Sequence, residues 1–595
     1  MSYYDKSSLV LIPSGTKTSK VFSQKPTNGD GDFDFTRSTA ATRVNADGNI
    51  EKETSNLLLQ SNAFNNWSGD PTLTSGQTGY DGSSDAWLLD ATSVNQFIYR
   101  NDVTSFSGVT TISVYAKKGT ADGIRLRFNQ TTDSNLYINL AAGTIIGAFT
   151  PGIAYAIEDV SNGWYRIQMS FVASGSQDVR IYPTNATGTS IVGTIYIQDS
   201  QANQGLVAQP YQETTTTALY GGITDNVPRL DYTDSSCPAL LLEPLRTNGI
   251  AYSEYFDSYW ADDGQYDNIT ITHNATASPE GLQNATKIVG NNTSNAPQSA
   301  YIGKPSVVAS QPYVSSVFAK AGEYDYIVLV IGSYNAGFWA SFNLDTGVVD
   351  TAPTAADTTA SIEDYGNGWY RCMIYTTNTG GAEGIYITPS VDGTNTTQYT
   401  NTTNGVYIYG AQVEAGSYAT SYIPTYGTSV TRNGEVCDGA GNAATFNDSE
   451  GVLYAEISAL ADDETYRILS INDGTRNERV YMQYTSTTNE ISVVVKTGNS
   501  TQANISHTLT DETQNAKVAV RYKVNDFALY INGSQIGTDT SGNTPVGLDN
   551  FSFDQGNGAN NFYGNVKQIL VFNTALSNAD LEILTGTYYE SYSAM

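Results

Sequence analysis

Histidine and cysteine are close to missing from this sequence, with two His and three Cys among 595 residues. His273 and His507 are too few for histidine-based metal sites or catalytic triads. Cys237, Cys372 and Cys437 are odd in number and far apart, which argues against a disulfide framework or a four-ligand zinc site. Positive charge is also scarce. Lys and Arg total 29 against 59 Asp and Glu, a net charge of −30. Nucleic acids are bound mainly through Lys and Arg, so they are unexpected partners, as is an anionic membrane surface. Long apolar runs are absent too. The start, MSYYDKSSLVLIPSG, has an apolar core of only Leu9 to Ile12, too short for a signal peptide, and nothing approaches membrane-spanning length. The expectation is no signal peptide and no membrane insertion, with synthesis in the cytoplasm and release by a non-secretory route.

What fills the chain is 42 Tyr and 54 Gly, with abundant Thr and Asn and few Leu/Ala/Glu/Lys helical runs. Tyr and Thr suit pleated, half-buried strands, and Gly and Asn suit the turns between them. The length predicts three or four domains, and the composition predicts an all-β fold of sandwiches or barrels.

An internal repeat sets the organisation. The first copy holds SNLLLQSNAFNNW (55–67), ISVYAKKG (112–119), IEDVSNGWYRIQMSF (157–171) and TIYIQDSQ (194–201). The second holds TNGIAYSEYFDSYW (247–260), SSVFAKAG (315–322), IEDYGNGWYRCMIYT (362–376) and GVYIYGAQ (405–412). Strands such as Ile195-Tyr196-Ile197 alternate faces, and SNGWYR and GNGWYR place a Gly turn directly before a strand. The pattern predicts jelly-roll β-sandwiches over 55–212 and 247–429. A third unit over 430–595 carries the alternation Val518, Val520, Tyr522, a hairpin at Asn532-Gly533 and one helical turn capped by Ser577. Residues 1–54 read as a separate, extended leader. Residues 213–246, with Pro228, Pro238 and Pro244, read as a semi-rigid connector rather than a core element.

Several segments carry a resemblance. FTRSTAATRVNADGNIE in the leader and PRLDYTDSSCPALLLEPLRTN in the connector resemble recurring segments of bacteriophage tail- or head-fibre structural proteins. The S-x-x-F…W element and the NGWYR strand of each repeat resemble jelly-roll carbohydrate-binding modules. VRYKVNDFALYINGSQIG and YGNVKQILVFNTALS resemble laminin-G and concanavalin A-like lectin domains. The resemblance implies two jelly-roll sandwiches followed by a concanavalin A-like sandwich in a virion fibre or appendage. It implies attachment to other virion proteins through the N-terminus, a homotrimer, and adhesion to host cell-surface glycans. Folds of this kind host many functions, so an architectural decoration protein and a depolymerase tailspike remain the alternatives.

Modules of this type hold sugars on exposed rings, because pyranose C–H faces are apolar and aromatic faces electron-rich. The candidates are Trp67, Trp87, Phe97 and Tyr99 in the first copy, and Trp260, Tyr301, Tyr324, Tyr326 and Trp339 in the second. Tyr324 and Tyr326 would share one strand face. Core packing competes at every position; it is the expectation for Trp164 and Trp369, and it is favoured over stacking at Trp67 and Trp260 as well. Asp30, Asp32 and Asp34 alternate as hard oxygen ligands for calcium would, but the remainder of an EF-hand loop is missing, so a solvated turn or edge strand fits better. Glu158-Asp159 and Glu363-Asp364 recur at one place in both repeats, as calcium ligands or, the preferred reading, as hydrogen-bond acceptors at a turn. No cofactor other than calcium is suggested. Residues 430–595 lack the E-x-D-x-x-E and E-x-D-x-E strands of lectin-like glucanases. The chain also lacks a G-x-S-x-G elbow, a Walker loop and H-E-x-x-H, so the expectation is a non-enzyme.

Overall fold

Alternation in the sequence becomes sheet pairing nearly throughout. The computed structural model describes residues 2–586 apart from 102–105, 131, 150–151, 175–176, 258–259, 261–268, 291–299, 303–310, 333–336, 378–384, 396–400 and 402. The chain is all-β. Among the described residues its helices are Tyr3–Lys6, the 3-10 turn Phe64–Asn66 and Asn578–Thr585, and none is long and apolar enough to cross a membrane. Two units form, each discontinuous in sequence: residues 1–52, 223–246 and 431–595, and residues 53–222 and 247–430.

The second of these holds the repeats, which share one strand order except that the facing sheet has six strands in the first copy and five, among the described residues, in the second. In the first copy one sheet runs Gly152–Asp159, Trp164–Ala173, Gly108–Lys118, Gly193–Gln204, Ala86–Ala91, Thr72–Gln77. The second copy repeats it as Thr358–Asp364, Trp369–Thr376, Tyr313–Lys320, Gly405–Ala415, Ala285–Gly290, Ile269–Thr276. Facing sheets run Thr144–Phe149, Ser134–Asn139, Gly123–Asn129, Asp178–Thr184, Ile98–Arg100, Ser68–Gly69, and then Val348–Thr351, Trp339–Asn343, Tyr326–Ile331, Ile385–Ser390, Ala300–Ile302. Each pair of sheets closes on one core. Ile124, Leu126, Ile167 and Ile197 belong to the first, and Ile327, Leu329, Ile374 and Ile408 to the second.

Local chemistry repeats as well. The turn before each NGWYR strand is left-handed at three successive residues, Ser161, Asn162 and Gly163 (φ 83°, 54°, 77°), then Gly366, Asn367 and Gly368 (73°, 53°, 76°). Such φ values favour Gly and Asn, which explains the motif. Trp164 pairs with Lys117 and Trp369 with Lys320, and both indoles are buried, as expected.

The other unit corrects two expectations. The leader is not separate. Leu9–Leu11, fully buried, pairs antiparallel with the strand Gly564–Phe572, Leu9 opposite Val571. The connector is not a spacer. Arg229–Asp231 and Ala239–Leu242 form a hairpin whose second strand continues along the same edge, Leu240 opposite Val566. Pro228, Pro238 and Pro244 lie just outside these strands and delimit them, and the Ala-Leu-Leu-Leu run between is buried at every position. The two short strands thereby cover, end to end, an edge that would otherwise be open to pairing. The sheet continues through Glu450–Ala459, Ala516–Lys523, Phe527–Ile531 and Ser534–Asp539. Opposite it stands a five-stranded sheet in the order Ser500–Thr508, Glu490–Thr497, Arg479–Tyr484, Arg467–Asn472, Asn550–Ser552. Asn532 and Gly533 turn the hairpin with φ 46° and 84°, and the Ser577 hydroxyl accepts from the Asp580 N–H as N-cap.

A buried ionic network joins leader, connector and C-terminal sandwich within this unit. Glu435 accepts from Arg37 Nη1 at 2.8 Å and from Arg229 Nε at 2.8 Å, and Glu243 accepts from Arg229 and Arg432 at 2.7 Å each. Arg37 also donates to the carbonyls of Thr39, Thr224 and Val227. The FTRSTAATR, PRLDY and LLLEP segments supply Arg37, Arg229 and Glu243, and TRNGE (431–435) supplies Arg432 and Glu435, so their immediate role is to lock three distant pieces of chain together.

Candidate functional site

Several sequence candidates turn out to be interior. Trp67 and Trp260 are 6% and 3% exposed. Trp67 donates its indole N–H to the Gln60 carbonyl and packs on Phe64, and Trp260 donates to Tyr252 and packs on Phe256. Neither has a ring face to offer a sugar, which corrects the stacking assignment. The Ser of the same element is structural too. Ser61 Oγ accepts from Thr214 N and bonds Tyr211 Oη at 2.7 Å, while Ser253 Oγ accepts from Thr425 N and bonds Tyr422 Oη at 2.6 Å. The S-x-x-F…W element therefore clasps the two ends of each sandwich. Its partner, Tyr-x-x-Thr at 211–214 and 422–425, was visible in the sequence as a recurring pair.

Tyr324 is buried in the core, whereas Tyr326 begins the next strand half-buried on the outer face. The turn at Gly322–Asp325 breaks the alternation, so the two do not share a face. Trp87 is half-buried at the core margin and donates to the Asn62 carbonyl. Trp339 is half-buried against Val328, Val330 and Tyr386 on the outer face of its sheet. Tyr99 is half-buried on the outer face of the first copy, 5.9 Å from the Phe97 ring. The side chain of Tyr301 lies outside the described residues.

The carboxylates act as local acceptors. Asp159 and Asp364 each take a backbone N–H of the following turn, from Ser161 and Gly366. Their neighbours Glu158 and Glu363 stand in strands opposite Arg166 and Arg371. Asp30 accepts from Asn28 and Asn442, Asp32 from the Ser23 N–H, and Asp34 pairs with Lys20. Among the described residues no group of three or more His, Cys, Asp or Glu is arranged to hold a metal ion.

The best-organised polar surface lies on the outer face of the five-stranded C-terminal sheet. Its other face carries Leu469, Ile471, Val480, Met482, Val493 and Val495 into the core. Period-two alternation must then turn the intervening residues outward. Register sets them in rows. Asn550, Asn472, Arg479 and Lys496 are successive cross-strand neighbours, and so are Ser552, Ser470, Tyr481 and Val494. Gln483 and Ser492 continue the surface, hydrogen-bonded at 2.9 Å.

The floor is fixed by its own bonds. Asn472 Nδ2 donates to Ser470 Oγ and Ser552 Oγ at 2.9 Å each, and Ser470 Oγ donates to the Asp554 carbonyl. Arg479 lies over the Tyr481 ring at 4.3 Å and donates to the Gln555 carbonyl at 2.6 Å. Burial lowers the proton affinity of Lys496, and Arg479 and Arg476 lower it further. Lys496 and Gln483 are half-exposed at the rim, and Tyr466 is 45% exposed beyond it. Asn472, Ser470 and Ser552 are buried and bonded to one another, and Arg479 and Tyr481 are buried as well. The groups left open to a ligand are those of the rim, Lys496, Gln483 and Asn550 with Tyr466 beyond, an ammonium, two amides and an aromatic edge of the kinds that bind polyols. No residue of this face was singled out from the sequence. The alternation of Arg479, Tyr481 and Gln483 in RVYMQY was the available signal.

Residues 442–582 match the family model described as the Concanavalin A-like lectin/glucanases superfamily (Laminin_G_3), so the C-terminal sandwich is a concanavalin A-like lectin domain. No curated protein matches the chain. Among solved structures, the CBM40 domain of the Ruminococcus gnavus IT-sialidase bound to alpha2,3-sialyllactose is similar at 18% identity, over 25% of this chain and 87% of that one, with a TM-score of 0.22. A SAP-like pentraxin from Limulus polyphemus is similar at 15% identity over 23% and 70%, TM-score 0.20. The binding domain of botulinum neurotoxin DC in complex with rat synaptotagmin II is similar at 16% identity over 26% and 40%, TM-score 0.21.

Proposed function

We propose that this chain is a glycan-binding adhesin whose C-terminal lectin-like sandwich holds saccharide on the outer face of its five-stranded sheet. The observation that carries the reading is the partly exposed polar rim of Lys496, Gln483, Asn550 and Tyr466, held over a buried, internally bonded layer in a domain matching the concanavalin A-like lectin model. The face supplies binding groups without a carboxylate pair flanking a bond, which favours binding over hydrolysis. The resemblance of the leader and connector segments to phage fibre proteins supports the finer reading. In it the chain is a fibre or appendage of a virion, a homotrimer attached through its N-terminal region, that presents the domain to host cell-surface glycans. Weak single-site affinity would then be raised by several linked copies.

The test is retention of the full chain on a panel of bacterial envelope glycans, with calcium and with chelator. Binding to at least one glycan is expected, weakened about fivefold or more by Lys496→Gln or Gln483→Ala, the loss of about one hydrogen bond each. No binding in either condition, or binding indifferent to both substitutions, refutes the reading. A calcium requirement would reopen the acidic turns as ligands. The burial of Trp67 and Trp260 favours a second reading, an architectural virion component that contacts only other virion proteins, and a blank panel would support it.

A further inference from the structure

The outer face of the first repeat's second sheet gathers arginines in a chain that has few. Arg125 and Arg127 project from Gly123–Asn129 and Arg180 from Asp178–Thr184, while the intervening Ile124, Leu126, Phe128 and Ile181 enter the core. Arg127 and Arg180 stand directly opposite each other in register. Like charges so placed oppose sheet formation, and each is answered by a carboxylate: Arg127 by Asp133 at 2.5 Å, Arg180 by Asp178 through two bonds. Arg125 is not so answered. Its Nε and Nη2 both donate to Asn135 Oδ1, at 2.9 and 2.7 Å, and no carboxylate pairs with it among the described residues. Of its five N–H groups, both on Nη1 and one on Nη2 are left pointing away from that amide, a planar fork of the shape a carboxylate accepts.

Rings hold this fork in place. Arg125 lies between Tyr137 and Tyr182, at 5.4 and 4.8 Å from their centroids. Tyr182 touches Phe97 at 4.6 Å, Phe97 continues to Tyr99, and Arg180 covers Phe97 at 4.9 Å. The result is a strip of alternating rings and guanidinium groups across four strands, with Tyr99, Tyr137, Phe97 and the arginines half-exposed.

The second repeat serves as an internal control. By register, Arg125, Arg127 and Arg180 correspond to Val328, Val330 and Tyr386, and Asn135 corresponds to Trp339. The same sheet therefore folds with no cation at any of these positions. The arginines are not a requirement of the sandwich, and their opposed placement is a cost that the fold alone does not explain.

We infer that this strip is a second binding site, distinct from the C-terminal face, for a carboxylated sugar of the uronic-acid type. One pyranose ring lies on Tyr137 with its carboxylate held by the Arg125 fork, and a further ring of the same oligosaccharide lies on Tyr99, three strands away at about 5 Å per strand. Charge complementarity selects the anion, since neutral rings would need the aromatics alone. A guanidinium fork also takes tetrahedral oxyanions bidentately, so the sulfated oligosaccharide is the arm of the test that separates the two anions.

The test uses the full chain and calorimetric titration with an oligogalacturonide, its carboxyl-reduced neutral counterpart and a sulfated oligosaccharide of equal length. The uronide is expected to bind, more weakly at high salt, and the neutral counterpart to bind about tenfold more weakly or not at all. Arg125→Gln and Tyr99→Ala should each weaken uronide binding about tenfold, Arg125→Lys should restore it only in part, and Lys496→Gln should leave it unchanged. Tyr99 is at a half-exposed position, so its variant remains informative if Arg125→Gln fails to fold. Failure to bind the uronide, equal affinity for the neutral oligosaccharide, tighter binding of the sulfated one, or indifference to both Arg125→Gln and Tyr99→Ala overturns the assignment. Loss through Lys496→Gln alone would place uronide binding on the C-terminal face instead.

Discussion

Replacing Glu435 by Gln tests the buried ionic network that binds the leader and connector to the lectin-like sandwich. Glu435 is fully buried and accepts from Arg37, from two nitrogens of Arg229 and from the Glu243 N–H. Burial already lowers the Arg37 pKa to about 10 against the pull of Glu435, with Arg229 pressing the same way as burial. Without the Glu435 charge, three buried guanidinium groups face Glu243 alone. Loss of one hydrogen bond would cost about 1 kcal/mol, but stranding buried charge costs about 3–5 kcal/mol, and that larger effect decides the outcome. The chain carries its own probes. Cys437 is buried in the unit that holds the network, Cys372 is buried in the other unit, and Cys237 is exposed. Burial also raises the pKa of both buried thiols, which slows their native reaction. Thiol labelling across a urea series, read peptide by peptide, should show the Cys437 transition falling by about 1 M or more at a slope of about 1–3 kcal/mol per M. The Cys372 transition should stay in place. Asp34→Asn removes an exposed ion pair with Lys20 and should cost under about 1 kcal/mol. A shift of Cys437 labelling by Glu435→Gln no larger than that by Asp34→Asn would refute a stabilising role for the buried network.

Two further outcomes follow from the repeats. Burial, with the nearby Asp85 and Asp81 carboxylates, pushes the Asp199 carboxyl up to about 7 against the hydrogen bonds of Tyr80 and Tyr211. The folded state therefore holds this proton more tightly than the unfolded chain does. The associated stability is full below about pH 4 and is lost as pH rises through 7, by up to about 4 kcal/mol. Asp199→Asn should flatten that decline in a pH series of urea midpoints followed by tryptophan fluorescence, and an unchanged slope would refute it. At the NGWYR turns, Gly368→Ala should cost about 1–2 kcal/mol because its φ of 76° disfavours a side chain, whereas Ser161→Gly at φ 83° should stabilise slightly. Equal effects of both substitutions in thermal melts would contradict this account.

Local rules made much of the fold legible. The duplication, the strand alternation, the Asn532-Gly533 hairpin and the Ser577 cap each depend on neighbouring residues, and each stands where the sequence places it. What escaped was set by distant partners. Leu9–Leu11 and the Ala-Leu-Leu-Leu run are short apolar segments, and nothing in such a run names the edge it will join. Arg37 and Glu435 meet across 398 positions, a separation over which neighbouring residues carry no pairing signal. The site candidates failed for a related reason. An indole that caps a core and an indole that holds a sugar share composition and neighbourhood, and only the carbonyls of Gln60 and Tyr252 beneath Trp67 and Trp260 tell them apart.

The two repeats also show where specificity resides in this molecule. Their cores, strand orders, turn conformations and end clasps coincide, so every feature that made the duplication recognisable is a feature of folding. The differences lie at the outward positions of one sheet, where Arg125 meets Val328 and Asn135 meets Trp339 in register. Alternation fixes which positions point away from the core and leaves their identity free, since a sheet closed by its inner face accepts a half-exposed cation there in one copy and a covered valine in the other. One scaffold can therefore carry a half-exposed, charged, ring-lined strip in one copy and a buried apolar cluster of Val328, Val330 and Tyr386 in the other without altering its strand order. For this reason likeness of fold alone cannot assign a ligand to either copy, and the identity of the outward residues can.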